Sequence, residues 1–247
     1  LTDKSNMFAM VKFFNKCESA GIKPISGSSI RVIFNGDDSS HELLCLAKNN
    51  NGHKNLMRAI SKAHNNYSYQ TPILNFNDLE EFRNDVIVIS GGKDSHLFEL
   101  IKRKKIDEAA NRVDKFLDVF QEDFFIEIQK TNRPDEQEFL TNILPISNSK
   151  GVPLIATNDV LFSEKNDYEI HETKVCINTG RTLNDPNREK PFSSEQYFKS
   201  PEEMSNLFVD FDEVIKNTNE VAKKCNVSLH TEGYFLPEYP VPDEHDF

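Results

Sequence analysis

Asn158 and Asp159 follow, after Thr157, a short apolar run, residues 152–156, that opens behind Gly151. Such a run reads as a buried parallel strand. Its carboxyl end is where sheets and barrels built from βα units place their ligands. Four further predicted strands deliver small, polar or charged residues to the same rim: Asp3 and Lys4, Ser28 and Ser29, Ser90-Gly91-Gly92, and Glu127. Glu127 interrupts the apolar strand 124–128, where a carboxylate is rarely without a partner. Two carboxylates converging on one rim are a candidate site. Plainer readings stand beside each of these. Asp159 could cap the following turn, and Ser90-Gly91-Gly92 could cradle a phosphate, although a strand-to-helix turn needs such residues anyway.

Other chemistry-bearing residues are less telling. His171, on the helix after Asp159, reads as a hydrogen-bonded structural residue. His53, His64, His96, His230 and His245 show no ligand spacing and read as surface residues. The run Lys102-Arg-Lys-Lys105 could touch DNA phosphates or an acidic partner, but a solvated run between helices is the simpler reading.

The elements that must position the rim alternate along the chain. A helix over 7–20 stops at Gly21; residues 22–25 are extended, 27–29 a polar turn, 30–34 extended again, and 35–38 a hairpin turn. Strands are predicted at 43–47, 86–89, 124–128 and 152–156. Helices are predicted at 52–66, 75–83, 94–101, 106–120, from Pro134, at 167–177, and from Pro201 and Asp210 to about Lys224. The helix 106–120 carries an apolar stripe of Ala109, Val113, Phe116, Leu117 and Phe120. Residues 234–242 read as a proline-rich linker, with Phe235 and Leu236 anchored in an apolar groove. Alternating β and α predicts a mainly parallel sheet, open or closed.

Composition bounds the class. A chain of 247 residues suits one α/β domain, and 19 phenylalanines supply a core despite 37% hydrophobic content. A net charge of −11 argues against nonspecific nucleic-acid binding. Cys17, Cys45, Cys176 and Cys225 are scattered, which suggests neither a structural zinc site nor a disulfide framework and fits a reducing cytoplasm. No apolar run reaches membrane-spanning length and no signal peptide is expected. Leu1-Thr2-Asp3 reads as the last step of a strand, so the sequence is expected to be a fragment beginning inside a domain.

Several segments, in order, carry a resemblance: Leu1-Thr-Asp-Lys-Ser-Asn-Met7, Gly21-Ile-Lys-Pro-Ile25, Leu46-Ala-Lys-Asn-Asn50 with Asn55-Leu56, Ile89-Ser-Gly-Gly92, Phe125-Ile-Glu-Ile128, Arg133-Pro-Asp-Glu136, Ala156-Thr-Asn-Asp-Val160, Asp185-Pro-Asn-Arg188 and Tyr234-Phe-Leu-Pro237. Together they resemble the PHP (polymerase and histidinol phosphatase) domain of bacterial replicative DNA polymerase III alpha subunits. The resemblance implies an α/β fold, a distorted (β/α)7 TIM-like barrel lacking its first strand here. It assigns residues 1–233 to the PHP domain and 234–247 to a linker toward the polymerase palm. Metal-competent members hold metal ions at the strand ends with His, Asp and Glu, and act as phosphoesterases or, in some polymerases, as a 3′–5′ exonuclease.

The motifs depart from that pattern. Thr2-Asp3-Lys4 stands where metal-binding members read Thr-Asp-His, and Ser29 replaces an acid. Glu42 replaces a histidine, with His41 one residue out of phase and so on the opposite face. Asp159-Val160-Leu161 replaces Asp-x-His. Only Glu127 and Asp159 match, and neither an ammonium nor a leucine can ligate a metal. The resemblance is therefore to a degenerate branch, whose vestigial rim comprises Asp3, Lys4, Ser29, Glu42, Glu127, Asp159 and Leu161. It implies no catalytic residue and no cofactor in this chain, Mg2+ being expected only at the parent polymerase site. The implied partners are the rest of the alpha chain and the proofreading exonuclease subunit, with DNA met only through the holoenzyme and no membrane. The alternative is an active metal-dependent phosphoesterase. Carboxylates about 5 Å apart at an effective dielectric near 20 repel by roughly 3 kcal/mol. Lys4 is therefore expected to enter the old metal volume and pair with Glu127, Asp159 or Glu42.

Overall fold

The computed structural model describes residues 1–66 and 71–229; the linker expected at 234–242, with His230 and His245, lies outside the described residues. Strands β1 (Gly27–Ile33), β2 (His41–Ala47), β3 (Leu74–Asn75), β4 (Val86–Ile89), β5 (Phe124–Gln129) and β6 (Leu154–Thr157) form one sheet in the order β3-β1-β2-β4-β5-β6. The mixed α/β class and the mainly parallel sheet are as expected: among the described residues five of the six strands run the same way. β2 runs antiparallel to both β1 and β4, while β3 is parallel to β1 and β4, β5 and β6 are mutually parallel. The cause is local. The turn after Phe34, with Gly36 at φ 89°, folds β1 straight back onto β2. Among the described residues no ladder joins β6 to β3.

One correction concerns residues 22–29. The strand expected at 22–25 is absent, and the expected polar turn is the start of β1. Gly27 is needed there because a Cβ would lie 2.5 Å from the carbonyl oxygen of Cys45 on the paired strand. The reading of Leu1–Asp3 as strand-like holds. Gly27 N donates to Leu1 O (3.1 Å), Ser29 N to Asp3 O (3.1 Å) and Ser5 N to Ser29 O (2.7 Å), so this segment lies parallel beside β1.

Among the described residues the helices are α1 (Met10–Ser19), α2 (Asn50–Asn66), α3 (Phe76–Leu79), α4 (His96–Lys102), α5 (Ile106–Phe120), α6 (Glu136–Lys150), α7 (Tyr168–Thr179), α8 (Pro201–Leu207) and α9 (Asp212–Lys224). Their starts follow the side chains available. The Ser95 hydroxyl accepts from Phe98 N at 3.1 Å to cap α4, and Ser200 with Glu203 forms a reciprocal cap on α8 behind Pro201.

β4 is buried on both faces, which explains its unbroken apolar run. Val86 and Val88 face a large core with α5, while Ile87 and Ile89 face a smaller one with Leu46, Phe125, Ile155 and Val221. In the large core Phe116 stacks on Phe124 (4.6 Å, 12°) and meets Phe34 and Phe76 edge-on at 5.7 and 5.4 Å. α9 covers β6, and its far end is stitched to the start of α2 and β5. Asn226 N donates to Lys48 O (2.7 Å), Ser228 N to Asn50 Oδ1 (2.8 Å), and Lys48 pairs with Asp123 at 2.6 Å. Those ties lie at one pole of the sheet. The opposite pole, where β4, β5 and β6 end and β2 begins, is the rim.

Candidate functional site: a carboxylate rim held by side-chain cations

Lys4 leaves the segment beside β1 and reaches the beginning of β2, where its Nζ lies 2.6 Å from Glu42 Oε1 and 3.9 Å from Asp94 Oδ2. The antiparallel register sets Arg31 opposite Glu42, and its guanidinium adds a second cation at 4.0 Å. Burial alone would lower the Lys4 pKa, but the hydrogen bond and field of Glu42, with Asp94 and Asp159 behind it, hold it above the ordinary value. The expected ammonium in the acid cluster is therefore present, and its partner is Glu42. The β4–α4 turn closes over this pair: Glu42 N donates to Asp94 O at 3.0 Å, and Gly91 at φ 81° passes so near that a Cβ would sit 2.6 Å from Glu42 O.

Glu127, 4% exposed, is held by its neighbours on the same face of the sheet. Its Oε1 accepts from Gln129 Nε2 at 2.7 Å and from the Thr157 hydroxyl, and Gln129 Nε2 also donates to Thr157 Oγ1 at 3.1 Å. These contacts follow from pleat and register, since Gln129 is two residues along β5 and Thr157 is its partner on β6. The backbone N of Glu127 donates to Ser90 Oγ at 3.0 Å. Burial pushes its pKa up; the two side-chain donors and Arg133 pull it back, and Asp159 adds to the rise.

Asp159, at φ 45°, turns sharply off β6 and accepts from Arg133 Nη1 at 2.9 Å and from the fully buried Gln196 at 2.8 Å. Arg133 is the hub. Its side chain is 7% exposed, it donates to Thr131 Oγ1 (2.8 Å) and to Gln129 Oε1, and it lies 3.3 Å from Glu136. It thereby links Asp159 to Glu127 through one glutamine.

The other expected rim residues do not join them. Asp3 contributes its backbone oxygen, which accepts from Ser29 N and from Ser28 Oγ at 2.8 Å. Ser29 sits within the β1 ladder, and Leu161 is 38% exposed with its backbone N on Gln196 O. Asn158 is buried and donates to the carbonyls of Glu195 (3.1 Å) and Tyr197 (2.7 Å), which makes it a tether for that segment. This donor set does not fit a cluster of metal ions: Glu42, Glu127 and Asp159 already accept from side-chain donors, and an ammonium and a guanidinium stand among them.

Several histidine readings are corrected. His96 is buried rather than on the surface, and His53 is half-buried with its ring on Ser26 Oγ at 2.9 Å. His171 is structural, but through ring contacts with Phe192 (4.9 Å) and Phe162 (5.5 Å); its Nε2 is buried without a hydrogen-bond partner. His64 is exposed as expected and bonds Ser5 O at 3.0 Å. The basic run is exposed but engaged: Lys102 pairs with Asp135 at 2.8 Å, Arg103 with Glu99, Lys104 with Glu138, and Lys105 with Glu108 at 3.0 Å.

The raised Glu127 pKa has a measurable consequence. A carboxyl whose folded pKa exceeds its unfolded one contributes stability at low pH that is lost as pH rises from the unfolded value through the folded one. Glu127→Gln, which keeps an acceptor for Gln129 and Thr157, is expected to remove that slope. Urea denaturation from pH 4 upward checks it. The variant gains on the wild type as pH rises; a parallel pH dependence in the two proteins refutes the placement of a charge-averse Glu127.

Residues 1–131 match the PHP domain family, just over half of the 247 residues, and the chain belongs to that family. Over 98% of its length it is also similar to DNA polymerase III subunit alpha, at 37% identity in Pseudomonas aeruginosa and 38% in Escherichia coli K12. The Vibrio cholerae subunit is 35% identical over 97% of the chain. The chain spans about a fifth of the length of these relatives, 21% in each case. Among the described residues no helix is long and apolar enough to cross a membrane.

Proposed function

We propose that the chain is the N-terminal PHP region of a cytoplasmic DNA polymerase III alpha subunit and serves there as a noncatalytic scaffold. On this reading the sheet is part of a distorted (β/α)7 barrel. It supports the polymerase body and offers a docking surface to the proofreading exonuclease subunit. Nucleotide transfer, with its Mg2+ and its DNA, belongs to the rest of the alpha chain. One observation favours a scaffold over a phosphoesterase. The two acids that match the metal-binding members are coupled through Arg133 and Gln129, and Glu42 is paired to Lys4 where those members place ligands.

The test is hydrolysis. The chain, incubated with a 3′-labelled oligonucleotide and with a phosphodiester ester in Mg2+, Mn2+ or Zn2+, is expected to give no chelator-sensitive release above background. Sustained release by homogeneous protein returns the phosphoesterase reading. Hydrogen exchange on the full alpha chain, with and without the exonuclease subunit, tests the docking role. Protection confined to regions outside residues 1–247 counts against it.

A further inference from the structure

His41 projects from the face of β2 opposite Glu42, and there it meets His96 at the start of α4 and Asp37 in the β1–β2 turn. One donor atom from each of the three lies within 4.8 Å of the others, and both histidines are buried. His96 Nδ1 has no hydrogen-bond partner, although Asp37 Oδ2 stands 3.4 Å away. That gap is the ligand-to-ligand span of a tetrahedral ion, whose donors at about 2.0–2.1 Å stand roughly 3.3–3.4 Å apart. Behind His41, Glu99 Oε2 lies 3.3 Å from Nδ1, while Nε2 faces Ser39 Oγ at 3.2 Å. A carboxylate behind one ring nitrogen fixes the tautomer and leaves the other as donor, as it does for metal-bound histidines. Asp37 is 23% exposed on its side chain, which opens the cluster to solvent.

We propose that Asp37, His41 and His96 form a site for a zinc-class divalent ion that ties the β1–β2 turn to α4. Two imidazoles and one carboxylate select borderline, nitrogen-loving ions over Mg2+ or Ca2+. Burial keeps both rings below their ordinary pKa, His96 down to about 3, so their lone pairs are available near neutrality. Two features restrain the site. The rings now stack in parallel, 4.3 Å apart at 4°, so an ion shared by both must turn one ring out of the stack. Arg112, 3.4 Å from Asp37 Oδ2 and 3.7 Å from the Phe34 ring, competes for the carboxylate. Both features lower the affinity of the site. This site is independent of the rim and of the scaffold role.

The test uses the chelator-stripped chain, titrated with ZnCl2 by calorimetry and with CoCl2 by visible absorption. One ion binds, Zn2+ raises the melting temperature, and the cobalt spectrum shows nitrogen and oxygen donors without thiolate charge transfer. His96→Gln abolishes binding, and the partly exposed Asp37→Asn weakens it at least tenfold. Glu99→Gln weakens it about 10- to 100-fold, and Glu127→Gln at the rim leaves it unchanged. The proposal is overturned by an absence of binding, by thiolate bands, by loss in Glu127→Gln, or by full affinity in Asp37→Asn. If His96→Gln fails to fold, the wild-type spectrum and Asp37→Asn decide.

Discussion

Arg133→Met lowers the stability of the chain by about 3–5 kcal/mol near neutral pH, the range for removing one partner from a buried ion pair. That pair is chiefly the one with the nearly buried Glu136, since Asp159 is 40% exposed. The size follows from what is left behind. Asp159 and Glu136 lose their cation, and Gln129 Oε1 loses a donor at a nearly buried position. Methionine preserves most of the stem volume, so the deficit reports charge and hydrogen bonding rather than a cavity. Arg133→Lys recovers only part of it, because one ammonium cannot reproduce a planar fork that reaches Asp159, Gln129 and Thr131 together. Denaturant titrations of the two variants give both numbers. A loss below about 1 kcal/mol, the range of an exposed pair, removes Arg133 from the centre of the rim.

Phe116→Ala costs about 3–5 kcal/mol, as large-to-small changes in a packed core do. Phe116 is 1% exposed, stacked on Phe124 and edge-on to Phe34 and Phe76. Its removal opens a cavity bordered by aromatic rings from several elements, which collapse poorly around a methyl group. The effect also reaches the site, since Phe124 begins the strand that carries Glu127. Thermal and urea denaturation measure the loss. If Phe116→Leu is as damaging as Phe116→Ala, the loss lies in ring geometry rather than volume.

Both residues mark what a sequence can and cannot disclose. Phe116 was legible, because the spacing of Ala109, Val113 and Phe120 around it gives a helix face at sight. β4 and α5 were legible to their end residues for similar reasons: an unbroken apolar run bounded by polar residues, and a long periodic stripe. Lys4 was legible as chemistry, since a cation at the end of a strand beside acids has somewhere to go. Gly27-Ser28-Ser29 misled, because small polar residues suit a turn as well as a strand pressed against its neighbour. β2 was legible as the exception: the residues at 35–38 named a hairpin, and β2 runs against the other five strands of an otherwise parallel sheet. Arg133 stood in the motif Arg133-Pro-Asp-Glu136, but nothing in the sequence placed it at the rim. It lies 26 residues before Asp159, and only the fold of the intervening helix and strand brings them within 2.9 Å. The same holds for His96 and His41, which stack despite belonging to separate elements.

The ties between the end of α9 and the start of α2 also decide how the domain carries tension. A pull on the backbone at Ser228 is taken up first by its bond to Asn50, then by the Asn226–Lys48 bond and the Lys48–Asp123 pair. All three lie at the pole where β2 ends and β5 begins. The stretch of β2 from Glu42 to its end at Ala47 separates that pole from Glu42 by roughly 17 Å. A load applied at Ser228 would therefore meet bonds into β2 and β5 at the pole remote from the acid and base side chains of the rim.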